Sequence, residues 1–261
     1  MLIHFYKYQG TGNDFVMIDN RNQQIQHNQT KLIKQLCDRK FGVGADGCIL
    51  IENHSKYDFE MVYFNADGNI GSMCGNGGRC TIAFAKQLDI IEEACNFLAY
   101  DGVHKGKIEN KGIVSLSMAN VQNIKKGENY FLLDTGSPHY ISFVNNLAQL
   151  DVKKEGAKIR NNTQFKKEGV NVNFIEIKEN KLAVRTFERG VEDETLSCGT
   201  GVVASAISFI LKQNIEAQNV VEINTRGGNL EVFLKRNQND SFSEIWLKGP
   251  TENVFEGNIE I

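Results

Sequence analysis

Short apolar runs broken by polar turns recur along the chain, and their lengths decide the elements. "DFVMID" (14–19), "GCILIE" (47–52) and "DFEMVYF" (58–64) are of strand length and rich in β-branched and aromatic residues, so each predicts a strand. After the third comes "GSMCGNGGRC" (71–80), a cysteine opening a glycine-rich turn, and then "RCTIAFAKQL", which predicts a helix. Further on, "LSCGTGVVAS" (196–205) nearly repeats that turn, and "GVVASAISFILKQ" (201–213) is apolar almost all round, as suits a helix enclosed by sheet. "GIVSLSM" follows the first helix as a strand, and "VVEINT", "NLEVFLK" and "SEIWLKG" follow the second. The closing "VFEGNIEI" predicts one more strand, returning to the first half.

Cys74 and Cys198 stand 124 positions apart, and the same offset relates "TGNDFVMI" at Thr11 to "TGSPHYIS" at Thr135, Phe41 to Phe165, and Ile51 to Ile175. "DFEMVYFN" answers "KLAVRTFE" within one residue. A common offset over separated segments predicts a tandem duplication. The expected fold is mixed α+β: two pseudo-symmetric domains, each a curved, mostly antiparallel sheet around a central helix. The expected boundaries are 1–120, completed by the terminal strand 253–261, and 121–252, with the polar "NVQNIKKGEN" as linker.

Composition narrows the partners. Across 261 residues, 29 Lys and Arg against 32 Asp and Glu leave a net charge of −3, which gives no reason to expect nucleic acid or an acidic membrane. The N-terminus lacks the pattern of a signal peptide and no run of about 18 apolar residues occurs, so a soluble, cytoplasmic protein is expected. The six cysteines are too sparse for a disulfide scaffold and form no C-x-x-C pair; reduced thiols are expected and structural zinc is not.

Taken singly, a cysteine at a tight turn reads as a small core residue. Two at matching places in two repeats read differently. At a helix N-terminus the open backbone N–H groups and the macrodipole stabilise a thiolate, and glycines turn further N–H groups onto an anion such as a carboxylate. Pseudo-twofold symmetry is expected to bring the two thiols to one substrate, one removing a proton from a carbon beside a carboxylate and the other donating to its opposite face. The result is racemisation or epimerisation. Cys37, Cys48, Cys80 and Cys95 have no such partner and are expected to pack.

The motifs "GTGNDFVMID", "FNADGN", "MCGNGGRC", "GSPHY", "GVNVNF" and "FERGVEDETLSCGTG", with the terminal "GP" and strand, resemble those of diaminopimelate epimerases over essentially the whole chain. The resemblance implies interconversion of LL- and meso-2,6-diaminopimelate without pyridoxal phosphate or metal, for lysine and peptidoglycan precursor synthesis, by an enzyme that forms homodimers. It also implies that Cys74 and Cys198 are the acid/base thiols, that His139 stands beside a catalytic thiol, and that Gly75, Asn76, Gly199 and Thr200 grip the α-carboxylate. Asn13, Asn65, Asn171, Glu188 and Arg189 would hold the amino groups and the distal carboxylate, with Glu188 also counted as catalytic. Ser137 and Gly47 depart from the commoner Asn and Gln of the family.

Other readings remain at this level. A proline-type racemase would also use two cysteines, although Arg189, Asn65 and Asn171 suit a substrate with a second charged end. A Cys74–Cys198 redox switch and a non-enzymatic amino-acid binding module are the others. "GVGADG" (42–47) matches G-x-G-x-x-G but is followed by a strand-like run instead of a helix, so no dinucleotide is expected there.

Overall fold

The computed structural model describes residues 1–110, 112–179, 181–215 and 218–261, which divide into two units: Met1–Leu116 with Gly249–Ile261, and Ser117–Lys248. The first unit contains β1 (Leu2–Gly10), β2 (Asn13–Asp19), α1 (Thr30–Cys37), β3 (Gly47–Glu52), β4 (Phe59–Asn65), α2 (Gly75–Gln87), β5 (Ala94–Ala99), β6 (Gly102–Asn110) and β7 (Ile113–Ser117). Each strand pairs with the next. The ladders are antiparallel except β2–β3 and β4–β5, which are parallel because the intervening helix returns the chain to the same end of the sheet. The last strand of the chain, β17 (Glu252–Glu260), lies antiparallel along β1.

The second unit contains β8 (Lys125–Lys126), β9 (Tyr130–Asp134), β10 (Pro138–Phe143), α3 (Val152–Arg160), β11 (Asn171–Lys178), β12 (Lys181–Glu188), β13 (Asp193–Thr195), α4 (Gly199–Gln213), β14 (Gln218–Thr225), β15 (Gly228–Arg236) and β16 (Phe242–Pro250). Its sheet runs β8-β9-β10-β11-β12-β14-β15-β16, parallel only at β10–β11 and β12–β14, and β13 adds a short third ladder to β12. The order and the senses match the first unit. β3 and β11 begin 124 residues apart, as do α2 and α4, and β5 and β14. The mixed, mostly antiparallel and twice-repeated fold expected from the sequence is therefore present.

In each unit the longer helix lies on one face of the sheet and the shorter on the other. Ile141, Ile175 and Val184 pack with Val202, Val203, Ala206 and Ile207 of α4, whereas Val172, Phe174 and Phe187 turn to the opposite face with Val152 at the start of α3. In the first unit Val16, Ile18, Leu50 and Val62 pack with Ile33 and Leu36 of α1. Alternate residues of one strand thus serve two cores, which is why the apolar runs read as nearly continuous. Three glycines open α2 despite their poor helix propensity, and close approach explains Gly77 and Gly78. A Cβ on Gly78 would lie 2.4 Å from Met73 Cε and 2.9 Å from Leu116 Cδ2.

The sequence reading did not anticipate α1 and α3. Only Ile33, Leu36 and Cys37 of α1 are buried, and only Val152 and Gly156 of α3, too few to stand out in such polar surroundings. The pair Phe41 and Phe165 also diverges: Phe165 is buried, whereas Phe41 is 81% exposed. Among the described residues, no helix is long and apolar enough to cross a membrane.

Candidate active site

Cys74 and Cys198 occupy the same place in their units. Each is the N-cap of the longer helix, in extended backbone conformation (φ −110°, ψ 120° and φ −119°, ψ 109°), and neither side chain caps its helix. The repeat extends to the supporting hydroxyls. Thr81 Oγ1 donates to Gly77 O at 2.8 Å, and Ser205 Oγ, its counterpart, to Gly201 O at 2.7 Å.

In the first unit, Cys74 Sγ lies 3.5 Å from Asn13 Oδ1. The direction of that amide is pinned. Asn13 Nδ2 donates to the Asp46 carboxylate at 2.6 Å, and Asn13 Oδ1 accepts from Asn76 Nδ2 at 3.4 Å, whose own Oδ1 accepts from Arg79 Nη2 at 3.0 Å. Carboxylates only accept and guanidinium groups only donate, so an oxygen faces the Cys74 sulfur, which suits an S–H donor. Arg79 is wholly buried, donates also to Gly75 O (3.1 Å) and Thr11 Oγ1 (3.3 Å), and its Nε has no partner among the described residues. Burial pushes its pKa down, yet a guanidinium stays charged. The first turn of α2 therefore rests on a fixed cation that makes no ion pair among the described residues.

Asp46 is tied to Arg39 (2.8 Å), which also grips both oxygens of Asp14 (2.7 and 3.0 Å), while Lys7 meets Asp14 at 2.7 Å. Burial alone would raise the Asp14 pKa, but the hydrogen bonds and charges of Arg39 and Lys7 hold it at about 2. Asn65, exposed at the end of β4, is the level partner of Gly47 and accepts from Gly68 N at 2.9 Å in the "NADG" turn.

In the second unit, His139 lies on β10 level with Asn171, fully buried on the α4 face. Asn173 Nδ2 donates to Tyr140 O (3.5 Å) and to His139 Nδ1 (2.9 Å), while Asn173 Oδ1 accepts from Thr186 Oγ1 (2.8 Å). With Nδ1 accepting, the neutral ring carries its proton on Nε2, which donates to Thr200 Oγ1 (2.9 Å) or Ser137 Oγ (3.0 Å). Burial first, and then the charge of Arg189, push the His139 pKa down to about 3, so the ring is neutral at physiological pH. Ser137 Oγ also accepts from Asn171 Nδ2 (3.1 Å) and meets Thr200 Oγ1 at 3.2 Å. Thr200 Oγ1 lies 3.5 Å from Cys198 Sγ, where either the hydroxyl or the thiol can donate.

Within its own unit, then, His139 reaches a thiol through Thr200. Asn171 Oδ1 accepts from Arg189 N at 2.9 Å, Arg189 is exposed with Nη1 on Glu168 O at 3.0 Å, and the β11–β12 register brings Glu188 level with Asn171. Asn173, Thr186 and Arg79 are participants that sequence reading did not single out. The available signal was period two: Asn173 follows Asn171 on one strand face, and Thr186 precedes Glu188 on another. Gly201 is part of the same fit, since a Cβ there would lie 2.2 Å from Asn173 Oδ1. Gly201→Ala should displace Asn173 and destabilise the protein by about 1–3 kcal/mol in urea unfolding. The remaining thiols are inert by burial, which pushes Cys37, Cys80 and Cys95 up to about 12 and holds Cys48 well above the ordinary range.

The family model described as diaminopimelate epimerase matches residues 5–124 and 131–253. A diaminopimelate epimerase of Flavobacterium psychrophilum is 52% identical over 255 residues, covering 97% of this chain and 99% of that one, and one of Chlorobaculum tepidum is 42% identical over 263 residues at the same coverage. Among solved structures, a Bacillus anthracis phenazine biosynthesis protein of the PhzF family superposes with a TM-score of 0.78 at 14% identity, covering all of both chains. A probable proline racemase of Agrobacterium radiobacter superposes with a TM-score of 0.72 at 14% identity, covering 99% of this chain and 92% of that one, so both show the fold alone. On the family match and the near-full-length identity, the chain belongs to the diaminopimelate epimerase family.

Proposed function

We propose that this chain interconverts LL- and meso-2,6-diaminopimelate by a cofactor-independent, two-base reaction in which Cys74 and Cys198 act on opposite faces of the α-carbon. The observation that carries the reading is the repetition of a cysteine N-cap, on a glycine-opened buried helix, in two units of one topology. Inversion of a carbon centre needs one proton-transfer group per face, of similar strength, and a duplicated site supplies a matched pair.

One cysteine, as the thiolate, takes the α-proton, the electron pair moves into the adjacent carboxylate, and the other, as the thiol, releases its proton to the opposite face. The protonation states are then exchanged, and the enzyme is set for the reverse direction. Arg79 and the helix N-termini favour the charge that develops on the enolate-like carboxylate. Gly75, Asn76, Gly199 and Thr200 grip that carboxylate. Asn13, Asn65, Asn171, Glu188 and Arg189 hold the ammonium groups and the distal carboxylate, and neutral His139 keeps Thr200 aimed at Cys198. We also infer, in keeping with the family resemblance, a cytoplasmic homodimer.

Incubation with LL-diaminopimelate in D2O, with a thiol reductant present, tests the reading. Deuterium should enter the inverted α-carbon as the meso isomer accumulates, while proline stays unlabelled. Diaminopimelate recovered without deuterium would overturn it.

A further inference from the structure

We propose that Tyr63 is a substrate-contacting residue that sets specificity, its hydroxyl held beside Asn65 in the space that a side chain at position 47 would otherwise fill. The inference rests on the epimerase reading and adds a residue to it. Met61, Tyr63 and Asn65 alternate onto one face of β4, and that face is the one α2 covers, because a Cβ on Gly77 would meet Ile49 Cδ1 at 3.0 Å and Met61 Cε at 3.5 Å. Asn13 and Cys74 belong to the same end of this unit, as the register Gly47–Asn65 on one side of β3 and Phe15–Gly47 on the other requires. Met61 is buried in the core, whereas Tyr63 is half-buried and its ring runs along the sheet to Gly47.

Two glycines make that course possible. A Cβ on Gly47 would lie 2.5 Å from Tyr63 Cε2 and 3.1 Å from its hydroxyl oxygen. On the opposite edge, a Cβ on Gly71 would lie 2.6 Å from Cε1, 2.7 Å from Cδ1 and 3.1 Å from Asn65 Nδ2. Phe15 holds the ring edge-on, with centroids 6.1 Å apart. The ring is thus clasped between two backbone segments and a phenylalanine, with little rotational freedom to lose when a ligand binds. A phenol both donates and accepts, so it can meet either charged group of an amino acid, and a fixed one does so at low entropic cost. Gly47 itself offers no side chain at the level of Asn65. Tyr63 supplies the polar group there instead.

Steady-state kinetics of Tyr63→Phe on LL-diaminopimelate test the assignment. Loss of one hydrogen bond to a charged group should raise KM about 10-fold, with kcat within about 2-fold. Gly47→Gln should fold poorly, because its Cβ meets both the ring and Phe64 O, 2.6 Å away. An unchanged KM in Tyr63→Phe, or a well-folded Gly47→Gln that binds like the parent, would overturn the role of Tyr63 alone. A parent protein that turns over no diaminopimelate would overturn the epimerase reading, and this inference with it.

Discussion

Exchanging either Cys74 or Cys198 for serine should lower epimerisation about 1,000-fold while leaving the fold in place. A hydroxyl at either position is too weak an acid and base to replace a thiol, and positioned acid–base groups contribute roughly 100- to 10,000-fold. Neither sulfur caps its helix and serine is nearly isosteric, so the stability cost should stay within about 1 kcal/mol. A coupled turnover assay alongside thermal unfolding separates the two effects, and retained activity in the double variant would sink the mechanism.

Stability should fall as the pH drops from about 6.5 towards 3, and His139 should account for much of the loss. Its folded pKa, about 3, lies below the unfolded value near 6.5, so below 6.5 the unfolded chain binds a proton that the folded chain refuses. The contribution is complete above 6.5 and shrinks by about 1.4 kcal/mol per pH unit until the folded ring itself titrates. Asp14 follows the usual carboxylate case. With a folded pKa of about 2 against an ordinary value of 3.8, its contribution is complete above 3.8 and is lost towards 2. Urea unfolding at pH 7.5 and 4.5 should therefore show a smaller difference for His139→Gln than for the parent, by about 2–3 kcal/mol. Equal differences, or a His139 resonance titrating near 6.5 in the folded protein, would contradict the buried, neutral ring. An acid limb in the rate profile then belongs to a group other than His139.

Much of the fold was legible. "GCILIE" coincides with β3, the apolar segments after Cys74 and Cys198 are α2 and α4, and the 124-residue offset recurs in the starts of β3 and β11. These features depend on local patterning and on a copied stretch of chain, both of which a linear text preserves. The short helices α1 and α3 were not legible, because each buries few residues and leans on a sheet face built elsewhere. The Phe41 and Phe165 pair shows the limit of the copy: matched letters, unlike surroundings.

The candidate chemistry divides along the same line. Which residues carry thiols, amides and charges, and that two cysteine-glycine turns answer one another, follows from the chain alone. Which way each hydrogen bond runs does not. Asn173 fixes the His139 proton from a neighbouring strand, Asp46 and Arg79 orient Asn13 from opposite ends, and Gly47 and Gly71 place Tyr63 from two segments distant in sequence. Protonation and orientation are properties of a group's neighbours, and only folding brings those neighbours together.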